Sequence, residues 1–555
     1  MNKGDDYKKE LDTLFSNYVD GRHALQKAAG WNVPIAIKPE CQDKKIPSTF
    51  MALADEAIRI VAHGKYGLDT YDNVIEIIDA ERMRVAYASN GMPISYDHWS
   101  FGKKLMQMDR DYNEGKMGLA YEIVINTDPA IAYCMASNSK SMQMLVIAHA
   151  SYGHNSFFKG NHLFRQFTKA DKILDELKVL KNMVEDCEKT FGQEETEALL
   201  DACHALQYHS VNRYNRPPQR TPEEDAARRE KIEKDRLYHF DLLMDTTTSS
   251  ARKFAAAASK QATSEEKFEP DENILSYIAT YAPGLESKKR ELLLQFCKKS
   301  QYFYPQMQTQ LMNEGWASFW HHNIMRDLYD LDVIDEGMMM EVLDSHSGVI
   351  FQPSFDMPFF HGINVYALGI AIFQDLRRVC ENPTDEDRAW FKDQDIVGNP
   401  DWLTVVHEAM KNHKDESFIM QYLSPKVMRD FKLFSIKDDA WEDEIEVAAI
   451  HNDDGYRAVR DALASQYRLA DEQPNVEVTG YNYKTDRSLN LVHKMHNNRP
   501  LEWDDMWEVL KHIHYLWGFP VALKSVTPDG TVEVSMECPE KIEPKQPTNQ
   551  ISYFP

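Results

Sequence analysis

A mainly helical body with a small sheet, followed by a small α+β domain, is the fold class this 555-residue sequence predicts. Three observations predict it. Most of the patterned segments up to about residue 435 repeat their apolar residues at helical spacing, as in DKILDELKVLKNMVEDCEKTF and EETEALLDACHALQYH. Only LAYEIVINTDP, residues 119–129, alternates apolar and polar side chains and stops at Asp-Pro, so it is the clearest strand of the first half. After KLFSIKDDAWEDE the character changes, and short strands alternate with helices from about residue 440.

In chain order, residues 6–30 read as helix, and WNVPIAIKPECQDKKIP is a proline-interrupted connection. Residues 48–90 look mostly helical, and GMPISYDHWSFGKKL is a turn entering another helix. The isolated strand at 119–129 comes next. SKSMQMLVIAHASYG is a helix apolar all round, hence buried. Long charged helices fill 163–240. TTTSSARKFAAAASKQATSEEKFEPDEN, residues 246–273, has few large apolar residues and reads as a flexible insertion. Helices resume at 274–300 and from about 305 to 345, and LGIAIFQDLRRVCE is helical after a loop rich in Pro, Phe and Asn. The last part reads as strand (EIEVAAIHN), helix (GYRAVRDALASQY), strands NVEVTGYNY and SLNLVHKM around a KTDR turn, helix (EWDDMWEVLKHIHYLW) and two short strands around TPDG, with an extended tail. The expected domains are therefore 1–439 and 440–555.

Composition bounds the function. A formal charge of −25 opposes binding to phosphate backbones, which need clustered Lys and Arg, so no nucleic-acid partner is expected. No stretch of 18 apolar residues suggests a membrane span. The N-terminal segment has no signal-peptide pattern. Seven widely spaced cysteines without a CxxC fit reduced thiols, and together these features point to the cytoplasm. The absence of GxxxxGK(S/T), of GxGxxG after a strand and of GxSxG leaves nucleotide and serine-esterase chemistry without support.

Two constellations could carry chemistry. LVIAHASYGHNSFFKGNHLF places His149, His154 and His162 close together, with Ala150 where a zinc hydrolase of the HExxH type would have glutamate. In an unbroken α-helix, residues five apart point about 140° away from each other, so His149 and His154 could not share a face. Gly153 suggests that the helix ends or loosens there. In MNEGWASFWHHNIMRDLYD, Glu314 and His321 are seven apart, so they share one helix face. Two histidines from one helix and a carboxylate from another make a His/Glu set suited to a divalent metal, zinc foremost, with manganese and iron accepting the same ligands. Strand, histidine helix and Glu helix follow the chain order of zincin peptidases. The same residues read equally as a hydrogen-bonded histidine core around Trp316, Phe319 and Trp320. His98 and His361, among aromatics, fit packing as well as substrate contact, and neighbouring Cys203 and His204 face apart on a helix.

GMPISYDHWSFGK, GLAYEIVINTDP, VIAHASYGHNSFFKGN, YFYPQMQTQLMNEGWASFWHH, NVYALGIAIFQDLRR, KDESFIMQYLSPKVMRDFKLF and AIHNDDGYRAVRDALASQY, in this order, resemble the SpoVR family of stage V sporulation protein R-like proteins. The resemblance implies a role in spore cortex formation or, in bacteria that do not sporulate, in stationary-phase, stress and envelope physiology. It also implies as partners a PrkA-type AAA+ kinase-like protein and a von Willebrand factor A-like protein. EGWA with an upstream His-x-x-x-Gly-His pattern is similar to peptidases in which a HExxPGH helix and an EGWA glutamate bind zinc. That similarity implies His149, His154 and Glu314 as ligands. This chain departs from it in the shorter histidine spacing and in Ala150, so a base must come from elsewhere, Glu122 or His321. The expectation is a zincin-like metal-dependent hydrolase of unknown substrate; the alternative is a noncatalytic adaptor for the two partners.

Overall fold

The structure, a computed structural model, describes residues 6–42, 44–89, 91–113, 122–213, 270–355, 357–358, 360–392, 394–437, 446–449 and 452–539. Most of the expected insertion at 246–273, the helical reading beyond 213, the boundary at 440 and the tail lie outside them. The chain divides into two compact units, residues 1–200 with 298–473 and residues 201–297 with 474–555.

The first unit is mainly helical and holds a three-stranded sheet of β1 (Asn73–Ile78), β2 (Glu122–Ile125) and β3 (Ala130–Met135). The order is β1-β3-β2, with β3 parallel to β1 and antiparallel to β2. The strand expected at 119–129 is therefore not isolated. The segment 48–90 contains the expected helices, α1 (Phe50–Gly64) and α2 (Ala80–Ala88), but β1 lies between them. NVIEII is β-branched and too short to build a stable helix, and it gains a full ladder by pairing residue for residue with AIAYCM of β3. A second, two-stranded sheet pairs β4 (Ser435–Lys437) with β5 (Glu446–Ala449).

Helix α3 (Lys140–Val146) is capped by the Ser139 hydroxyl, which accepts from the Met142 amide. It runs on without interruption into a π-helical stretch, Ile147–His154, and then α4 (Asn155–Gly160). Every residue from 141 to 158 is buried, as an apolar pattern on all faces predicts. Helix α5 (Gln310–Asp330) is similarly enclosed and buries Leu311, Trp316, Phe319, Trp320, Ile324 and Leu328. Burying each such side chain contributes about 1.5–3 kcal/mol. The Asp415 carboxylate accepts from the amides of Leu311 and Met312 at 2.9 and 2.8 Å and closes the start of α5. Two further helices flank α5, α6 (Glu336–Val349) and α7 (Val365–Glu381). Between α5 and α7 a Cβ on Gly315 would lie 2.4 Å from the Gly369 carbonyl carbon, so these backbones touch and only glycine fits.

The second unit contains the small α+β region. Strands β6 (Asn475–Tyr481), β7 (Leu489–Lys494), β8 (Val521–Val526) and β9 (Val532–Cys538) form a sheet in that order. β7 and β8 are parallel, and helix α8 (Trp503–Trp517) lies between them in sequence, as a parallel crossover requires. The two outer pairs are antiparallel and turn at KTDR and TPDG.

Candidate metal centre

The π-helical stretch is what puts two histidines on one face. Bonding from i to i+5 brings residues five apart nearly above one another, where an α-helix would separate them. The His149 and His154 rings stand 4.6 Å apart, edge to face. The helix does not end at Gly153; it widens over the whole of Ile147–His154. Gly153 serves another purpose, since a Cβ there would lie 2.6 Å from the Ala317 Cα of α5. Its absence lets the histidine helix and the Glu314 helix touch.

At that contact, Glu314 Oε2 lies 3.6 Å from His149 Nε2 and 3.4 Å from His154 Nε2. Glu122, first residue of β2, brings its Oε1 to 3.5 Å from His149 Nε2. Donor atoms of Glu122, His149 and His154 all fall within 4.8 Å of one another. Ala150 is fully buried and contributes nothing here. Glu122 supplies from the strand a second carboxylate that the helix lacks.

The far side of each ring is tied down. His154 Nδ1 is 2.9 Å from the Asn313 Oδ1, which can only accept, so Nδ1 carries a proton and, in the neutral ring, Nε2 presents its lone pair. His149 Nδ1 is 2.8 Å from His321 Nδ1, and His321 Nε2 is 2.7 Å from His346 Nδ1. A relay of neutral rings, each donating to the next, also leaves the His149 Nε2 lone pair facing the carboxylates. The reverse relay would aim an N–H at those carboxylates and close the gap to about 2.8 Å, the length of a charge-assisted hydrogen bond. The observed gaps are too long for that, and Glu314 Oε2 is buried with no hydrogen-bond partner. Four ligands around zinc at about 2.0–2.1 Å are separated by about 3.3–3.4 Å along each tetrahedral edge. The three measured edges, 3.4 and 3.6 Å from Glu314 and 3.5 Å from Glu122, are close to that length, and among the described residues Glu122, His149 and His154 form a group that could hold a divalent cation.

The electrostatics separate the two carboxyls. Burial raises Glu122, and the facing histidines only partly offset it. Burial acts on Glu314 too, but His154 and His149 overcome it and hold the carboxylate below its ordinary range. Burial would lower His154, yet Glu314 beside it carries the imidazole upward. His321 is driven well below its ordinary value by burial and by His149 and His346. Burial, with His322, brings His346 down to about 4. His321 and His346 are therefore neutral at pH 7.

The predicted residues His149, His154, Glu314 and Glu122 come together in one place. His321 joins them from behind, at the Nδ1 edge of His149. His162 does not: its Nδ1 bonds the Lys411 carbonyl at 3.0 Å. His98 bonds the Ser100 hydroxyl at 2.7 Å. Sequence reasoning missed Asn313, His346, Tyr366 and Tyr87. Tyr366 stacks 6.5 Å from His149 and its hydroxyl neighbours Glu314, which together with burial raises its pKa. Tyr87 is raised by burial and by the nearby Glu122 and Glu314. Asn313 had a signal, since it adjoins Glu314; His346, on another helix, had none.

The fold and the cluster define a class: a mainly helical protein with a buried His/Glu set that could hold a metal. The chain belongs to the SpoVR family. The model described as SpoVR like protein matches residues 48–472, and that of the SpoVR-like C-terminal domain matches residues 474–528. The chain is 48% identical over 477 residues, 86% of its length and 92% of the relative's, to uncharacterized protein YcgB of Escherichia coli (strain K12). No solved structure matches it. No helix among the described residues is long and apolar enough to cross a membrane.

Proposed function

We propose that this chain is a zincin-like metal-dependent hydrolase with zinc held by His149, His154 and Glu314. The observation that carries the reading is the convergence of Glu314 Oε2 on two Nε2 atoms at 3.4 and 3.6 Å, with both rings fixed through Nδ1. A metal-ligating histidine needs such an acceptor behind it, because the acceptor sets the tautomer and ring angle. Zinc in this place supplies a Lewis acid that polarises a carbonyl and makes water a stronger acid.

The chain's own residues supply the rest. Glu122 is the base: its carboxyl, raised by burial, takes a proton from water at Oε1 and returns it to the leaving group. Glu314 stays ionised as ligand. Tyr366, whose hydroxyl lies beside Glu314, borders the carboxyls and offers a hydroxyl donor to developing oxyanion charge. His321 positions His149. The setting that goes with this reading is cytoplasmic, in spore cortex formation or in stationary-phase, stress and envelope physiology, beside a PrkA-type AAA+ protein and a von Willebrand factor A-like protein.

Elemental analysis of the purified chain tests it. One zinc per chain, lost in Glu314→Gln and in His149→Ala, is the expected result. Folded protein that neither carries zinc nor takes it up at micromolar concentration would leave the cluster as core packing.

A further inference from the structure

Two arginines of the helix Asp453–Ser465 lean on one tryptophan. The Arg457 guanidinium stands 5.1 Å and that of Arg460 5.0 Å from the centre of the Trp390 ring. Three residues apart on a helix, the two arginines are neighbours on its surface. Trp390 is a fixed platform. It closes the short helix Asp385–Trp390, in which Thr384 and Asp387 cap each other's backbone amides, and its Nε1 donates to the Leu423 carbonyl at 3.2 Å. The Arg378 fork grips Asp387 at 2.7 and 2.8 Å and ties that helix to α7.

The two arginines over this platform lack acceptors. The chain carries 88 acidic residues against 63 lysines and arginines, so an arginine without a carboxylate is the exception. Nearby Arg378 spends its donors on Asp387 and Asp375, and Arg429 reaches both oxygens of Glu386 at 2.7 Å. Arg457 is exposed, and among the described residues no acceptor bonds it. Arg460 keeps 16% of its side chain exposed, and Asp461 comes no nearer to it than 3.9 Å. Its Nε is buried with no hydrogen-bond partner, so an acceptor can come only to its terminal nitrogens. Burial lowers Arg460, Asp461 only partly offsets this, and the neighbouring charge of Arg457 adds to it.

Stacking on a ring uses the flat face of a guanidinium and leaves its in-plane N–H groups free to donate. Two such forks side by side call for an anion richer than a carboxylate, whose two oxygens fill one fork. A phosphomonoester brings three acceptor oxygens and a charge of about −1.5 to −2, which matches two arginines.

We propose that Arg457 and Arg460, stacked on Trp390, form a binding site for a phosphomonoester group, carried by a small molecule or by a phosphorylated side chain. This site is separate from the His/Glu cluster, and the inference does not rest on the hydrolase reading.

Calorimetry on the full chain at physiological salt tests it with inorganic phosphate, with N-acetyl-alanyl-phosphoseryl-alanine amide and with the same peptide carrying glutamate in place of phosphoserine. The phosphopeptide is expected to bind at least about tenfold tighter than the glutamate peptide. A phosphopeptide that also outbinds inorganic phosphate about tenfold assigns the site to phosphorylated side chains, and equal affinity assigns it to free phosphate and small esters; both outcomes uphold the phosphate chemistry. Arg457→Gln, at an exposed position where circular dichroism should report an unchanged fold, should weaken both phosphate probes about tenfold. Arg457→Lys keeps the charge without the fork and should recover only part of that loss. Equal binding of the phosphoserine and glutamate peptides, no binding of either phosphate probe, or wild-type affinity in Arg457→Gln would overturn the proposal.

Discussion

Gly153→Ala is the sharpest test of the contact that builds the cluster. The added Cβ would sit 2.6 Å from the Ala317 Cα and 2.8 Å from its Cβ, where ordinary contact begins at 3.4 Å. Neither neighbour is the end of a flexible chain, so the helices must separate by about 1 Å, at an overpacking cost of about 1–3 kcal/mol. The 3.4 Å gap between His154 Nε2 and Glu314 Oε2 then grows correspondingly. An edge of about 4.4 Å would need bonds of about 2.7 Å, far outside the tolerance of zinc near 2.0–2.1 Å. Zinc affinity, read by competition with a chelator, should fall at least tenfold, while circular dichroism reports an intact helical fold. Gly160→Ala is the control. Its Cβ meets only the flexible end of Met410, at 2.6 Å, so it should cost some stability and leave zinc affinity unchanged. Folded Gly153→Ala protein that binds zinc as wild type does would refute the reasoning.

Three further outcomes follow from the same geometry. Asn313→Leu and His346→Phe remove no ligand, yet each should weaken zinc binding about 10- to 100-fold by freeing a ring tautomer; unchanged chelator competition would deny these residues an orienting role. Glu122→Gln should keep zinc by elemental analysis and lose any hydrolase turnover of the wild-type chain, and retained turnover would remove Glu122 as the base. Asp55, which accepts from the Tyr152 hydroxyl at 2.8 Å, is raised by burial to about 6. The folded state therefore holds this proton more tightly than the unfolded chain, whose Asp titrates near 3.9, so its contribution is present below about pH 4 and is lost as pH rises through about 6. The loss is about 2–3 kcal/mol. Asp55→Asn should gain that much on wild type in urea melts between pH 4 and pH 7.5, and parallel pH curves would contradict it.

The sequence was legible where local chemistry decides. NVEVTGYNY and SLNLVHKM alternate cleanly and are joined by turn residues, and both are strands at the expected places. α5 declared itself through Trp316, Phe319 and Trp320. β1 and β3 were hidden for opposite reasons: NVIEII sits between two helices, and AIAYCM is a small, unalternating strand made stable only by neighbours on both sides. Residue type, spacing and the likeness to peptidases with an EGWA glutamate nominated His149, His154 and Glu314, and the strand before the histidine helix nominated Glu122. The π-helical geometry by which they meet was not readable, because no composition marks a stretch of eight helical residues as π rather than α. Gly153 drew attention as an end or a loosening of the helix; the helix widens there without ending, and the missing side chain is also a contact.

Helical spacing also explains why His321 could be seen but not placed. Seven residues span about 10.5 Å along a helix, close to two turns, so Glu314 and His321 lie on one face of α5 with a gap between them. His149 fills that gap. Its Nε2 edge faces Glu314 at 3.6 Å and its Nδ1 edge meets His321 at 2.8 Å, so one rigid face holds both edges of one ring. The carboxylate proposed as a metal ligand and the imidazole that bonds the opposite nitrogen of His149 are thus carried by the same helix. Any shift of α5 disturbs both at once. The touching backbones at Gly153 and Ala317, and at Gly315 and Gly369, fix α5 from two sides, which is the mechanical condition for holding the spacing of such a cluster.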